Sequence, residues 1–308
     1  MSQVQYILMD GKPVPFHDAR IHALSPAVTY AATVFEGIRA YWNPEHEQLY
    51  VFRLREHMQR LRQSVRMMRY DIDISVDELS AQVVEILSVN RLKADVYARI
   101  MAVVTSEDHP AISTSGPVSI IIAPGYHTGA GPWRETGMHV SVSSWQRIND
   151  STHPPRIKAT ANYSNGRLAM LDAQREGYDS TIMLTRDGKV AEAPVASVFV
   201  VREGRLLTPR VTDGILESLT RATLLELFRT DLGGTACERA IDRTELYVAD
   251  EIFLCASGIE VVPVASVDRL PTQHGAPGPV TQAIRDRYQA TVRGDAGRLS
   301  WLTPVYPN

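Results

Sequence analysis

The sequence predicts a mixed α/β (α+β) protein of two domains, on three observations. The chain has 308 residues, enough for two ordinary cores. Strand-like and helix-like segments alternate in two blocks, separated by the Gly- and Pro-rich stretch Pro124-Gly-Tyr-His-Thr-Gly-Ala-Gly-Pro132. Neither block shows the regular strand–helix–strand rhythm or the G-x-G-x-x-G turn of a dinucleotide-binding fold. The expected division is a small N-terminal domain over 1–123, a linker over 124–135 and a larger C-terminal domain over 136–308.

In the first block, Tyr6–Met9, the turn pair Asp10-Gly11 and Lys12–Phe16 read as an opening hairpin. Arg55–Arg69 reads as a helix, because Met58, Leu61, Val65 and Met68 recur every three or four residues between basic side chains. A second helix spans Val76–Val89, with Ser75 as N-cap and Glu78 three residues on. Strands follow at Val96–Val104 and Val118–Ala123.

The second block opens with a strand at Met138–Trp145 and a helix over Asn162–Glu176. Strands at Ser180–Thr185 and Val190–Val201 are joined by an Arg-Asp-Gly-Lys turn. A helix starts near Glu217 and stops at the paired glycines Gly233 and Gly234. Asp242–Val248 reads as a short helix, Glu251–Ala256 as a strand and Pro279–Val292 as the final helix.

Composition excludes several classes of function. Hydrophobic residues at 44% and charged residues at 22% mark a globular chain. Lys and Arg total 32 against 35 Asp and Glu, so charge gives no argument for nucleic acid or membrane partners. The N-terminal residues lack a signal-peptide pattern, and no apolar run approaches the ~18 residues that span a bilayer. Cys237 and Cys255 have neither metal-like nor redox-like spacing, so no metal site is expected and a cytoplasmic location is the default.

Chemistry enters at Lys158, in Lys-Ala-Thr-Ala-Asn-Tyr-Ser-Asn, with Tyr163 five residues on and Glu192 one hairpin downstream. An amine, a phenol and a carboxylate in this order are what a protein needs to hold and tune pyridoxal 5'-phosphate. The amine can form a Schiff base, the phenol can hydrogen-bond the ring oxygen, and the carboxylate can pair with the pyridinium nitrogen. Each alone is equally well a surface or strand residue, so phosphate-binding groups decide the matter. Asp213–Thr220 is a turn opening into a helix, where free amides and the helix dipole suit an anion; alone, it reads more plainly as a polar helix start capped by Ser218. Cys255-Ala-Ser-Gly-Ile259 ends a strand in small residues that let amides approach a ligand. Arg55, in Phe52-Arg-Leu-Arg-Glu-His57, can fork onto a phosphate or simply sit at the surface.

Longer stretches carry a resemblance: Thr33-Val-Phe-Glu-Gly-Ile-Arg-Ala-Tyr41, Phe52-Arg-Leu-Arg-Glu-His-Met-Gln-Arg-Leu61, Lys158–Tyr163, Leu219-Thr-Arg221, Tyr247-Val-Ala-Asp-Glu-Ile-Phe253 and Gly278-Pro-Val-Thr281. Taken in order over essentially the whole chain, they resemble the class IV aminotransferases. These are pyridoxal-phosphate enzymes of fold type IV, and the likeness is greatest to the branched-chain amino acid aminotransferases. The resemblance implies a D-amino-acid-aminotransferase-like fold with the active site between two domains. It implies Lys158 as the Schiff-base lysine and proton shuttle, Tyr163 on the ring oxygen and Glu192 on the pyridinium nitrogen. Arg55, the amides of Leu219 and Thr220, and Ser257 would hold the phosphate. Tyr30, Phe35, Gly37, Arg39, Tyr97, Arg99, Ser257 and Gly258 would line the substrate side. Partners would be an amino donor and a 2-oxo acid acceptor, with 2-oxoglutarate receiving the amino group of leucine, isoleucine or valine by ping-pong exchange, in a homodimer or higher homo-oligomer.

Several segments depart from that family: the loop over Thr105–Pro117 is shorter than usual, Gly125 stands where an aromatic is expected after Pro124, Ser218 and Ala256 stand at phosphate-site positions often held by glycine, and the run after Glu192 is altered. After Glu192 the branched-chain enzymes read Gly-x-Gly-Glu-Asn-Leu-Phe, whereas this chain reads Ala193-Pro-Val-Ala-Ser-Val-Phe199. The polar pair is lost, which predicts a pocket wider than that of a strict branched-chain enzyme. Two neighbouring readings share the fold: an (R)-selective amine or D-amino acid transaminase, and a lyase releasing pyruvate from aminodeoxychorismate.

Overall fold

Apolar and β-branched residues build a seven-stranded sheet, ordered β15-β4-β3-β5-β6-β1-β2, from the N-terminal block and the chain's last residues. Its members are β1 (Tyr6–Met9), β2 (Lys12–Pro15), β3 (Thr33–Asn43), β4 (Gln48–Phe52), β5 (Val96–Val104), β6 (Val118–Tyr126) and β15 (Leu302–Pro304), all paired antiparallel. The computed structural model describes residues 4–107, 111–127 and 129–307. The short helix α1 (Pro26–Thr29) precedes β3, and helices α2 (Leu54–Met67) and α3 (Val76–Val89) lie between β4 and β5. Leu54, Met58, Leu61 and Val65 of α2 share one core with Val34, Ile38 and Ala40 of β3. The capping box of α3 forms as its sequence predicts: Glu78 N–H donates to Ser75 Oγ at 3.0 Å, and Ser75 N–H to Glu78 Oε2 at 2.8 Å.

The second sheet has eight strands. Its main path runs β11-β10-β9-β12-β13-β7-β8, with β14 paired to β13. These are β7 (Met138–Gln146), β8 (Ser180–Leu184), β9 (Ser197–Arg202), β10 (Arg205–Thr208), β11 (Ala236–Glu238), β12 (Glu251–Ala256), β13 (Glu260–Val267) and β14 (Leu270–Pro271). Helices α4 (Trp133–Thr136), α5 (Tyr163–Arg175), α6 (Leu219–Thr230) and α7 (Pro279–Arg293) complete the elements used below. Val198, Val200, Ile252, Leu254 and Val262 form the heart of this core, and the Phe199 and Phe253 rings stack with centroids 4.9 Å apart.

The two compact units differ from a division at a linker over 124–135. The first takes in 1–128, 157–161 and 290–308; the second takes in 129–156 and 162–289. Strand β6 continues through Tyr126, and α4 occupies 133–136, so part of the expected linker is regular structure. The segment carrying Lys158 joins the first unit, not the C-terminal one. Its backbone is the reason: Val34 bridges Ala159, and Phe35 N–H donates to the Lys158 carbonyl at 2.9 Å. The expected strand over Val190–Val201 also shortens to β9. Pro194 has no N–H for a ladder, and Ala193 N–H turns back to the Ala196 carbonyl at 2.8 Å.

Candidate active site

Strand alternation explains the first unit's group of functional side chains. Along β3, residues 35, 37 and 39 share a face, and the register with β5 sets Gly37 opposite Arg99 and Arg39 opposite Tyr97. The Arg99 guanidinium lies 5.2 Å from the Phe35 ring centroid, and Lys158 Nζ lies 4.7 Å from the same centroid. Gly37 is required under Tyr97, because a Cβ there would lie 1.9 Å from the phenol oxygen. Arg39 is buried, with Nη2 3.5 Å from Asp95 Oδ2 and its guanidinium 5.0 Å from the Tyr41 ring. Asp95 also receives Arg293, at 2.9 and 3.2 Å, and the Trp42 N–H. The expected substrate residues Phe35, Gly37, Arg39, Tyr97 and Arg99 are therefore neighbours on one sheet face. Tyr30 lies outside β3 and β5, 47% exposed at the end of α1.

The other face of β3 carries an ion cluster that the sequence reading missed. Glu36 is fully buried and takes a forked contact from Arg60, at 2.6 and 2.8 Å, with His57 Nδ1 2.8 Å from Oε2. Burial alone would raise the Glu36 carboxyl, but Arg60 and His57 together hold it well below the usual carboxylate range. Burial pushes the His57 imidazole down, against the pull of Glu36. His57, Arg60 and Ser64 recur at helical spacing on α2, and Ser64 Oγ accepts the Lys158 main-chain N–H at 3.1 Å. Arg55, the expected phosphate arginine, lies off that face. Its side chain is 64% exposed and pairs with Asp77. The i, i+3, i+7 repeat of His57, Arg60 and Ser64 was the available signal for the buried arginine; the apolar periodicity of the same helix masked it.

In the second unit, Tyr163 opens α5, and Glu192 is buried in the segment before β9. Arg147 Nη2 lies 2.6 Å from Glu192 Oε1, and the Leu216 N–H reaches both carboxylate oxygens at 3.3 Å. The Arg147 Nε and Nη1 atoms are buried with no partner among the described residues. No sequence motif marked Arg147. Ser218 caps α6, as its sequence position predicts, by accepting from Arg221 N–H. That leaves the first-turn amides of Leu219 and Thr220 without an acceptor among the described residues. Such amides at the start of a twelve-residue helix are an anion cradle. Ser257 and Gly258 form the turn after β12. Burial pushes the Cys255 thiol up, which keeps it protonated and out of nucleophilic chemistry.

An aldehyde-bearing phosphate cofactor fits this inventory. The first unit offers an amine on an aromatic face, and the second offers a buried carboxylate held by an arginine and two unpartnered helix amides. Comparison with known proteins agrees. Residues 33–267 match the family described as Amino-transferase class IV. The chain is 36% identical over 305 residues to a probable branched-chain-amino-acid aminotransferase of Aquifex aeolicus, covering 98% of this chain and 97% of that one. It is 34% identical over 309 residues to the branched-chain-amino-acid aminotransferase of Escherichia coli K12, covering 99% and 98%. The solved branched-chain amino acid aminotransferase of Thermobaculum terrenum, in its PLP form, superposes with a TM-score of 0.93 at 39% identity, covering all of both chains. The protein thus belongs to the class IV aminotransferases and is an aminotransferase of fold type IV.

Proposed function

We propose that the protein moves the amino group of branched-chain L-amino acids to 2-oxoglutarate, with pyridoxal 5'-phosphate as cofactor and a pocket wide enough for some further donors. The observation that carries this reading is Lys158 Nζ over the Phe35 ring, on the face that also presents Gly37, Arg39, Tyr97 and Arg99. The relatives compared above are named as branched-chain-amino-acid aminotransferases, one of them as probable, which supports the donor class.

When bound, the cofactor supplies an electron sink for the bonds at the substrate's Cα. Lys158 Nζ takes the proton from Cα of the donor and returns one to Cα of the acceptor, so one amine serves as base and acid. Glu192, held by Arg147, would keep a proton on the ring nitrogen of the bound cofactor, and Tyr163 would donate to its ring oxygen. The Leu219 and Thr220 amides and Ser257 would hold the phosphate. Arg60 would take the place of Arg55 in that set, because it is buried on the helix that also carries Ser64, the acceptor of the Lys158 main-chain N–H, while Arg55 faces solvent. Phe35 and Tyr97 supply apolar wall for an aliphatic side chain. Arg39 and Arg99 meet the acceptor's carboxylates, while Gly258 leaves backbone accessible on the substrate side.

The tight Ala193–Ala196 turn sets small side chains where the branched-chain enzymes carry a polar pair, which supports a broadened donor range. Leu24, Val28 and Tyr30 are large, exposed and close in sequence, a patch that a second copy would cover in a homodimer or larger assembly.

A donor panel with 2-oxoglutarate tests the reading: valine, leucine, isoleucine, a D-amino acid and an (R)-arylethylamine. Turnover of the branched L-amino acids is expected, with lower rates for at least one other donor. Confinement to branched L-amino acids would overturn the widened pocket. Preference for the D-amino acid or the (R)-amine would overturn the main assignment, as would release of pyruvate from aminodeoxychorismate without an oxo-acid acceptor. Lys158→Ala is expected to abolish turnover, and with it the loss of yellow cofactor colour that an amino donor should cause in the parent enzyme.

A further inference from the structure

Helix α2 has a second charged face. Arg62 and Arg66 are four residues apart, and Arg69 follows just past the helix end; all three are exposed. Like charges at this spacing repel. Among the described residues no carboxylate forms an ion pair with any of them; Glu78 senses Arg62 only at longer range. The three arginines rim a cavity of about 530 Å³, with Val65, Ile72 and Ile74 as apolar wall and Asp71 as the one acid among the described lining residues. The rim is therefore strongly positive, three guanidiniums against one carboxylate.

Tyr70 lines the same cavity. It is 8% exposed, and its hydroxyl has no hydrogen-bond partner among the described residues. The helix dipole accounts for cations in a last turn, but not for a buried phenol left unsatisfied beneath them. Burial pushes the phenol's pKa up, so it is a neutral donor. Three forked cations, a neutral donor and an apolar wall suit a small anion of at least two charges with some carbon framework.

We propose that this cavity is a second ligand site, which binds a small multivalent organic anion, either a phosphate ester or a di- or tricarboxylate. The site is separate from the cofactor's. On the same helix, Arg60 and Ser64 face Glu36 and the Lys158 main chain, whereas Arg62 and Arg66 are turned away from them.

Calorimetric titration of the cofactor-saturated enzyme tests it, with glycerol 3-phosphate in one arm and citrate in the other, at low and high salt. Saturable binding of one anion per chain, weakened by salt, is expected in at least one arm, and the arm that binds more tightly names the source. Arg62→Gln/Arg66→Gln/Arg69→Gln alters only exposed side chains and is expected to weaken binding roughly tenfold or more, with turnover of leucine unchanged. Tyr70→Phe keeps the ring and removes the donor, and is expected to weaken binding about three- to tenfold. No saturable binding in either arm would overturn the proposal. So would equal affinity in a triple variant whose circular dichroism matches the parent, or binding that disappears only when Lys158 is substituted.

Discussion

Arg147 Nη2 and Glu192 Oε1 are 2.6 Å apart, and both side chains are almost wholly buried. A pair of this kind contributes little net stability, yet losing one partner strands the other charge out of water. Arg147→Met is therefore expected to cost about 3–5 kcal/mol in urea unfolding. Arg147→Met/Glu192→Met should recover part of that loss while remaining inactive. Equal stability of the single variant and the parent would show that the carboxylate has another adequate partner.

Gly37 and Tyr97 interlock in the same way that a peg meets a hole. A Cβ on residue 37 would stand 1.9 Å from Tyr97 Oη and 2.6 Å from Cζ, so the ring must leave. Gly37→Ala is expected to cost about 1–3 kcal/mol and to raise KM for the amino donor. Combining it with Tyr97→Ala should restore stability but not KM, as thermal melts and steady-state kinetics would show.

Asp95 receives both Arg39 and Arg293. Asp95→Asn keeps the shape and removes the charge, so Arg39 loses its tether. The expected result is a KM for 2-oxoglutarate raised about tenfold, with a smaller change for leucine. An equal rise for both substrates would argue that Arg39 serves the common α-carboxylate instead.

Acid stability has an identifiable source away from these residues. Two hydrogen bonds from Arg239, at 2.9 and 2.6 Å, lower Glu245 from its ordinary 4.5 to about 2, against the effect of burial and with help from Asp242 N–H and Arg202. The folded state thus binds its proton more weakly than the unfolded chain does. Its contribution is complete above pH 4.5 and fades as pH falls toward 2. Glu245→Gln should flatten the decline of melting temperature across that window. An unchanged slope would place the acid sensitivity elsewhere, with Glu36 the first alternative.

Much of this architecture is legible in local patterns. The capping box at Ser75 and Glu78, the cap at Ser218 and the final helix from Pro279 all follow from rules that act within a few residues. Lys158, Glu192 and the sheet-face residues of β3 stand out in the sequence because their motifs are contiguous. Arg147 and Asp95 were not, since each acts on a partner tens of residues away and carries no local signature. Arg55 and Arg60 show the remaining difficulty. Both lie in the same ten-residue motif, and only the helix's rotation about its axis decides which guanidinium is buried. The shortened β9 has a similar cause: β-branched composition continues through Val195, but one proline removes the donor a strand needs.

The backbone on either side of the Lys158 side chain is pinned, by Ser64 Oγ at its N–H and by Phe35 N–H at its carbonyl. A mooring of this kind fixes the pivot from which the side chain extends. Any motion of the amine about that pivot follows its four-carbon stem. Its travel is then governed by side-chain torsions, which turn over far faster than any rearrangement of the main chain. Weakening the mooring by Ser64→Ala would blur where that motion begins without shortening its reach.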